Sequence, residues 1–165
     1  MSTEPKIHRG FGALRRGRWS QEGADYFITG CLQRPAAGLT SEPIASAAHS
    51  RLHELETAGS WKLRSWVFMP DHFHFLITLG PHGDLAEAMR QFKGPLAPLL
   101  RKQGVRWQKS FYDHHLRDDD DRLPVFLYIF LNPYRADLAA VGEKWPRYYC
   151  APEDWELGLP RKNGH

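Results

Sequence analysis

The sequence predicts an α+β domain: a small antiparallel sheet with helices packed on one face. Segments with the two-residue apolar period of strands and the 3.6-residue period of helices follow one another as strand, helix, strand, strand, helix, strand. The chain has 165 residues, 42% apolar and 13% aromatic, which suits one core of ordinary size. No internal repeat and no long linker divides it. With helices on one face only, the other face is expected to stay open, as in RNA-recognition-type folds.

Residues 1–20 are rich in Gly and Arg and read as a basic arm. Tyr26 to Leu32 is a β-favouring run and the first strand. Ile44, Ala48, Leu52 and Leu55 fall at helical spacing, with Ser41 and Pro43 as start signals and Gly59 as the stop. Leu63 to Phe68 and His72 to Leu79 form two strands joined tightly at Met69-Pro70-Asp71. On the second of these, Phe73, Phe75, Ile77 and Leu79 share one face. A second helix starts after Asp84 as N-cap and buries Leu85, Met89 and Phe92. Gly94-Pro95 and Pro98 should kink or split it before Gly104. Trp107 to Leu116 is a short strand or ordered aromatic loop. A third helix runs from Pro124 to about Asn132, where Asn132-Pro133 should stop it. A turn, a further short helix and a Trp/Pro-rich tail complete the chain.

Composition narrows the class. No run approaches the ~18 apolar residues of a membrane span. No apolar segment follows the basic arm, so a secretory leader is not expected. Cys31 and Cys150 are far apart and lack a CxxC partner, which argues against a disulfide scaffold or thiolate zinc site and makes the cytoplasm the expected location. The net charge is only +3, but the signs are segregated. Residues 1–20 sum to +4 through Lys6, Arg9, Arg15, Arg16 and Arg18 against Glu4. Residues 90–109 sum to +6 through Arg90, Lys93, Arg101, Lys102, Arg106 and Lys109, with no acid. Asp118 to Asp121 follow. Such clusters fit a polyanion, nucleic acid first, and equally a solvated helix face beside a basic tail.

Two local features can carry chemistry. His72 and His74 flank Phe73 on a strand, so both imidazoles project from one face and form half of a divalent-cation site. Two partly exposed histidines without a ligand would look the same. Tyr128 and Asn132 stand four residues apart and stack on one face of the most apolar helix. A core-edge tyrosine and a C-capping asparagine would also fit, but leave that polar stripe unexplained.

Together these features resemble a known family. Trp66-Val67-Phe68-Met69-Pro70-Asp71-His72-Phe73-His74-Phe75-Leu76-Ile77 is similar to the signature of the single-tyrosine HUH (IS200-like) transposases. Tyr128-Ile129-Phe130-Leu131-Asn132-Pro133-Tyr134-Arg135-Ala136 resembles the Tyr-Ile-x-x-Asn-Pro-x-x-Ala helix of the REP-associated tyrosine transposase branch. Trp107-Gln108 and Phe111-Tyr112-Asp113-His114 resemble its Trp-Gln-x-x-Phe-x-[Asp/Glu]-His block. The likeness spans roughly residues 26–138. Asp71 stands where relatives commonly carry Asn, and Asp137 where they carry Gly.

The resemblance implies a ferredoxin/RRM-like HUH endonuclease fold, with an arm at 1–20, a catalytic domain at 21–145 and a C-terminal tail at 146–165. It implies Tyr128 as nucleophile, and His72, His74 and Asn132 as ligands of Mg²⁺ or Mn²⁺, the cations that mixed N/O ligation without thiolate favours. A phenol of pKa near ~10 needs such help to attack a phosphate. The expected product is a 5′-phosphotyrosine link with a free 3′-hydroxyl. The expected substrate is single-stranded or hairpin DNA, with REP-like palindromes as the recognised element. Arg15, Arg16, Arg18, Arg90, Lys93, Arg101 and Lys102 are candidates for phosphate contacts. Trp19, Trp66, Trp107, Phe111 and Tyr112 are candidates for base stacking. The expected assembly is a monomer or homodimer without a membrane partner. A non-catalytic nucleic-acid-binding module and a nuclease that uses water are the competing readings.

Overall fold

The computed structural model describes residues 20–33, 38–81, 83–117 and 122–158. In chain order the elements are β1 (Asp25–Leu32), α1 (Ile44–Thr57), β2 (Trp61–Phe68), β3 (His72–Leu79), α2 (Leu85–Lys102), β4 (Trp107–Leu116), α3 (Leu123–Arg135), β5 (Tyr148–Cys150) and α4 (Pro152–Gly158). The antiparallel sheet has the order β4-β1-β3-β2-β5. Its first four strands and first two helices form the β-α-β-β-α-β arrangement expected of a ferredoxin-like fold.

Strand β3 is central and apolar on alternate residues. Phe73, Phe75, Ile77 and Leu79 meet Ile44, Ala48, Leu52 and Leu55 of α1 and Leu85, Met89, Phe92, Leu96 and Leu100 of α2 in the larger core. The rings of Phe68, Phe73, Phe75 and Phe92 meet there, with Phe73 stacked on Phe75 at 4.2 Å and Phe92 edge-on to both. Trp61 closes the cluster and satisfies its indole N–H on the Leu52 carbonyl at 3.2 Å. The opposite face, expected to be open, carries α3. Val125 and Ile129 pack there on Phe27, Val67, Met69, Leu76 and Leu116.

Two prolines expected to kink or split α2 lie inside it, and the helix is not split. The helix runs unbroken from Leu85 to Lys102 through Pro95 and Pro98. Both prolines are on the exposed side, while Phe92, Leu96 and Leu100 continue the buried stripe. Proline at 95 removes the N–H that would bond the Gln91 carbonyl, and Arg51 Nε of α1 donates to that carbonyl instead, at 2.8 Å. Asp84 is the N-cap as expected, accepting from the Glu87 N–H at 3.0 Å. Helix α3 likewise passes Asn132-Pro133 and ends at Arg135. Pro133 is buried, and its carbonyl accepts from both Leu138 and Ala139, so its packing carries the helix one turn further. Asp137 follows at φ 56°, the left-handed conformation that explains why glycine suits this position.

Part of the segment expected as a C-terminal tail, 146–165, joins the sheet. Tyr148 to Cys150 pair with Val67, Trp66 and Ser65 of β2, so the segment read as a tail supplies the fifth strand. Lys62 and Arg64 of β2 then hold α4 through Glu153 and Asp154. Among the described residues, no helix is long and apolar enough to cross a membrane.

Gly30 of β1 faces Phe73, and a methyl group there would collide with the phenyl ring. Gly94 on the exposed side of α2 has open space around it. Gly30→Ala should therefore destabilise the fold by about 1–3 kcal/mol through overpacking. Gly94→Ala should be close to neutral despite that space, because its gain in helix propensity is offset by the clash of the new Cβ with the Cδ of Pro95. Urea unfolding of the two variants measures the difference.

Candidate functional site

The face that carries α3 is built by register. Cross-strand partners put Tyr112 of β4, Thr29 of β1, His74 of β3 and Val67 of β2 in one row. His72 stands one pleat along, opposite Cys31. The two imidazoles lie side by side with centroids 4.9 Å apart, while Phe73 between them points into the larger core. The same-face pairing expected from the sequence is thus present.

Each ring is held at its Nδ1. His72 Nδ1 stands 2.8 Å from Asp71 Oδ1. A carboxylate only accepts, so Nδ1 donates in this bond, and Nε2 is the ring atom turned away from Asp71. His74 Nδ1 stands 2.8 Å from Thr29 Oγ1. His74 is only 4% exposed, and burial, with the neighbouring His72 adding to it, pushes its pKa well below the ordinary histidine value. It is therefore a neutral imidazole, the protonation state a metal ligand needs.

Tyr128 completes the cluster. Its ring meets that of His74 edge-on at 5.1 Å, and Phe27 lies against both, stacked on the imidazole at 5.3 Å and edge-on to the phenol at 5.9 Å. Asn132 is partly buried one helical turn further along the same face of α3. Two imidazoles side by side with a phenol against one of them suit an oxygen- and nitrogen-ligated divalent cation. The carboxylate on His72 and the hydroxyl on His74 are the outer partners that orient such ligands.

The other tyrosines are placed differently. Tyr112 shares the face but lies across β1 from His74. Tyr134 donates its hydroxyl to the Glu143 carbonyl at 2.5 Å. Burial raises the pKa of both Tyr148 and Tyr149.

The basic candidates separate by position. Arg15, Arg16, Arg18 and Trp19 lie outside the described residues. Arg90 is ion-paired with Glu87 on α2. Lys93 donates to the Gln108 carbonyl at 2.9 Å and sits over the Trp107 ring, bracing β4. Arg101 and Lys102 are exposed in the last turn of α2. Backbone bonds from Gln33 to Arg106, from Leu39 to Pro70 and from Leu32 to Asp71 bring that end of α2 to the end of the sheet where His72 stands. Of the stacking candidates, Trp66 is buried at 4% exposure in the α1 core and is withdrawn from that role. Trp107 and Phe111 are partly buried against the same core, and Tyr112 against the smaller one.

Sequence reasoning missed Thr29, Phe27 and the role of Asp71. Asp71 was visible as a carboxylate adjoining the first histidine, whereas nothing local marks Thr29, whose partner is 45 residues away.

A histidine-paired central strand facing a tyrosine-bearing helix is the architecture of an HUH-type transposase. Residues 24–119 match the family model described as "Transposase IS200 like", and the chain belongs to that family. The match includes both histidines and stops before α3. The chain is 24% identical to the REP-associated tyrosine transposase of Escherichia coli (strain K12) over 131 residues, covering 78% of each. A solved structure of a REP-associated tyrosine transposase bound to a REP hairpin superposes with a TM-score of 0.71 at 22% identity, over 87% of this chain and 86% of that one. This superposition shows that the fold is shared.

Thr29→Val keeps the side-chain shape but strands the buried His74 Nδ1. It should cost about 1–3 kcal/mol of stability, read by urea unfolding of the metal-free protein.

Proposed function

We propose that this chain is a metal-dependent single-stranded DNA endonuclease and strand transferase that opens REP-type hairpin DNA through a covalent bond to Tyr128. The observation that carries the reading is the edge-on contact of the Tyr128 ring with His74, itself paired with His72 on β3. The hairpin bound by the relative of like fold supports the choice of substrate.

His72 and His74 would hold Mg²⁺ or Mn²⁺ through Nε2, and Asn132 would add its amide oxygen. Such a cation, when bound, polarises the scissile phosphate and offsets the charge that builds on it. Asp71 and Thr29 keep the two rings turned toward that position. Phe27 and the apolar seat of α3 confine the phenol beside His74 and limit water there. The Tyr128 oxygen attacks phosphorus, the bond from phosphorus to the 3′ oxygen breaks, and the phenolic proton is lost as the 3′ oxygen gains one. The products are a 5′-phosphotyrosine and a free 3′-hydroxyl. One phosphodiester bond replaces another, so the step can be reversed onto a new 3′ end. A phenol on a helix reaches an unpaired strand far more readily than a phosphate inside a duplex.

Tyr128→Phe removes one oxygen from a ring whose packing is unchanged. With Mn²⁺ and a labelled hairpin carrying a single-stranded extension, the wild type should give a protein–DNA adduct on a denaturing gel. The Phe variant should bind the hairpin and give none. His72→Ala, His74→Ala or excess chelator should also abolish the adduct. Cleavage by Tyr128→Phe without an adduct would establish water as the nucleophile, and binding with no cleavage in any cation would establish a non-catalytic module.

The exposed Arg101 and Lys102, with Arg15, Arg16 and Arg18 of the arm, are proposed to hold backbone phosphates. Neutralising the three arm arginines together should reduce the slope of log affinity against log salt by roughly two for single-stranded DNA. A titration of single-stranded DNA binding at several salt concentrations measures it.

A further inference from the structure

Helix α3 meets the sheet through a narrow stripe, with Val125, Ile129 and Pro133 buried and Leu123 and Leu127 facing outward. Its first turn has no acidic residue and its N-cap, Arg122, makes no side-chain capping bond. Arg122 instead reaches the sheet. Its Nε donates to Asp25 Oδ2 at 2.6 Å. Asp25 is 8% exposed, and its other oxygen accepts from the Thr78 hydroxyl at 2.6 Å. Thr78 accepts in turn from Arg64 Nε at 2.8 Å, and Arg64 Nη1 faces Asp154 of α4 at 3.5 Å. Arg64 is the extra residue of a β-bulge, between Leu63 paired with Ile77 and Ser65 paired with Leu76. Alternation from Leu63 puts Arg64 on the face that carries α3, and the bulge brings the next residue, Ser65, to that face as well.

Stability alone accounts poorly for this chain of bonds. A buried ion pair seldom repays its desolvation, and apolar side chains of like volume hold two elements at least as well. What directional bonds add is a fixed register. Arg122 lies six residues before Tyr128, about 9 Å along the helix. A slip of α3 by one residue would turn Tyr128 by about 100° away from His74. Thr78 lies on β3, the strand that carries both histidines. The chain of bonds therefore references the tyrosine helix to the histidine strand itself.

We propose that Asp25 and Arg122 are positioning residues for Tyr128, setting the register of α3 so that the phenol stands against His74. The proposal rests on the reading of Tyr128 as nucleophile only for its consequence in rate, so its test has two readouts. The first is the ¹⁹F resonance of 3-fluorotyrosine placed at position 128 alone, whose shift reports the His74 and Phe27 rings. The second is the rate of adduct formation at saturating hairpin DNA with Mn²⁺.

In Asp25→Asn and Arg122→Gln the resonance should move toward its solvent value and the rate should fall by about a hundredfold, the usual cost of misplacing a reacting group by an ångström. Arg122→Lys, which can still reach Asp25, should recover part of both. Should Asp25→Asn fail to fold, the more exposed Arg122→Gln carries the test. A resonance that moves in a protein whose wild type forms no adduct would keep the positioning role and remove the nucleophile. A native resonance and an unchanged rate in Arg122→Gln would overturn the proposal.

Discussion

Phe73 lies between the two histidines in the chain, and its burial dictates where they point. A strand alternates its side chains between two faces, so seating Phe73 under the aromatic cluster of Phe68, Phe75 and Phe92 turns His72 and His74 to the other face together. Gly30 across the sheet lacks the Cβ that would push the phenyl ring away. A one-residue slip of β3 would drive both imidazoles into the larger apolar core and move Phe73 and Phe75 out of the aromatic cluster to the thinner face. The apolar core thus sets the geometry of the polar site.

The two faces divide the work. One joins α1 and α2 to the sheet through a continuous apolar cluster. The other is thinner and mixes apolar contacts with directional bonds, those of Thr29, Asp71 and the chain from Arg122 to Asp154. Polar groups buried in this way must be paired, and pairing gives them one geometry rather than several. Rings add a second restraint. Phe27 touches both His74 and Tyr128, while Phe130 ties α3 to Tyr148 of β5 and Trp155 of α4. The segment from Tyr148 to Trp155 is therefore part of the support for the tyrosine helix.

The prolines show how local rules give way. A proline inside a helix costs about 3 kcal/mol when nothing compensates it. In α2 the compensation is tertiary: Leu96 and Leu100 remain buried beyond Pro95, and Arg51 from another helix occupies the orphaned Gln91 carbonyl. In α3 Pro133 is itself a core residue. Neither compensation has a signature in the segment it rescues.

Much of the molecule was legible in the chain itself. The alternation in His72 to Leu79, the helical spacing of Ile44 to Leu55 and the Asp84 cap are short-range patterns, and each corresponds to an element with nearly the expected bounds. The pairing of His72 with His74 on one face follows from the strand period alone, and the placing of Tyr128 with Asn132 on one face follows from the helix period. The face of the sheet on which α3 would lie, and hence the meeting of Tyr128 with His74, was not legible. Nor were the partners Thr29 and Arg122, or the entry of Tyr148 to Cys150 into the sheet. These are contacts between residues 45 to 97 positions apart in the case of the hydrogen bonds to His74 and Asp25. Local periodicity sets which side of its own element a residue occupies, but only the packing of whole elements decides which two sides face each other.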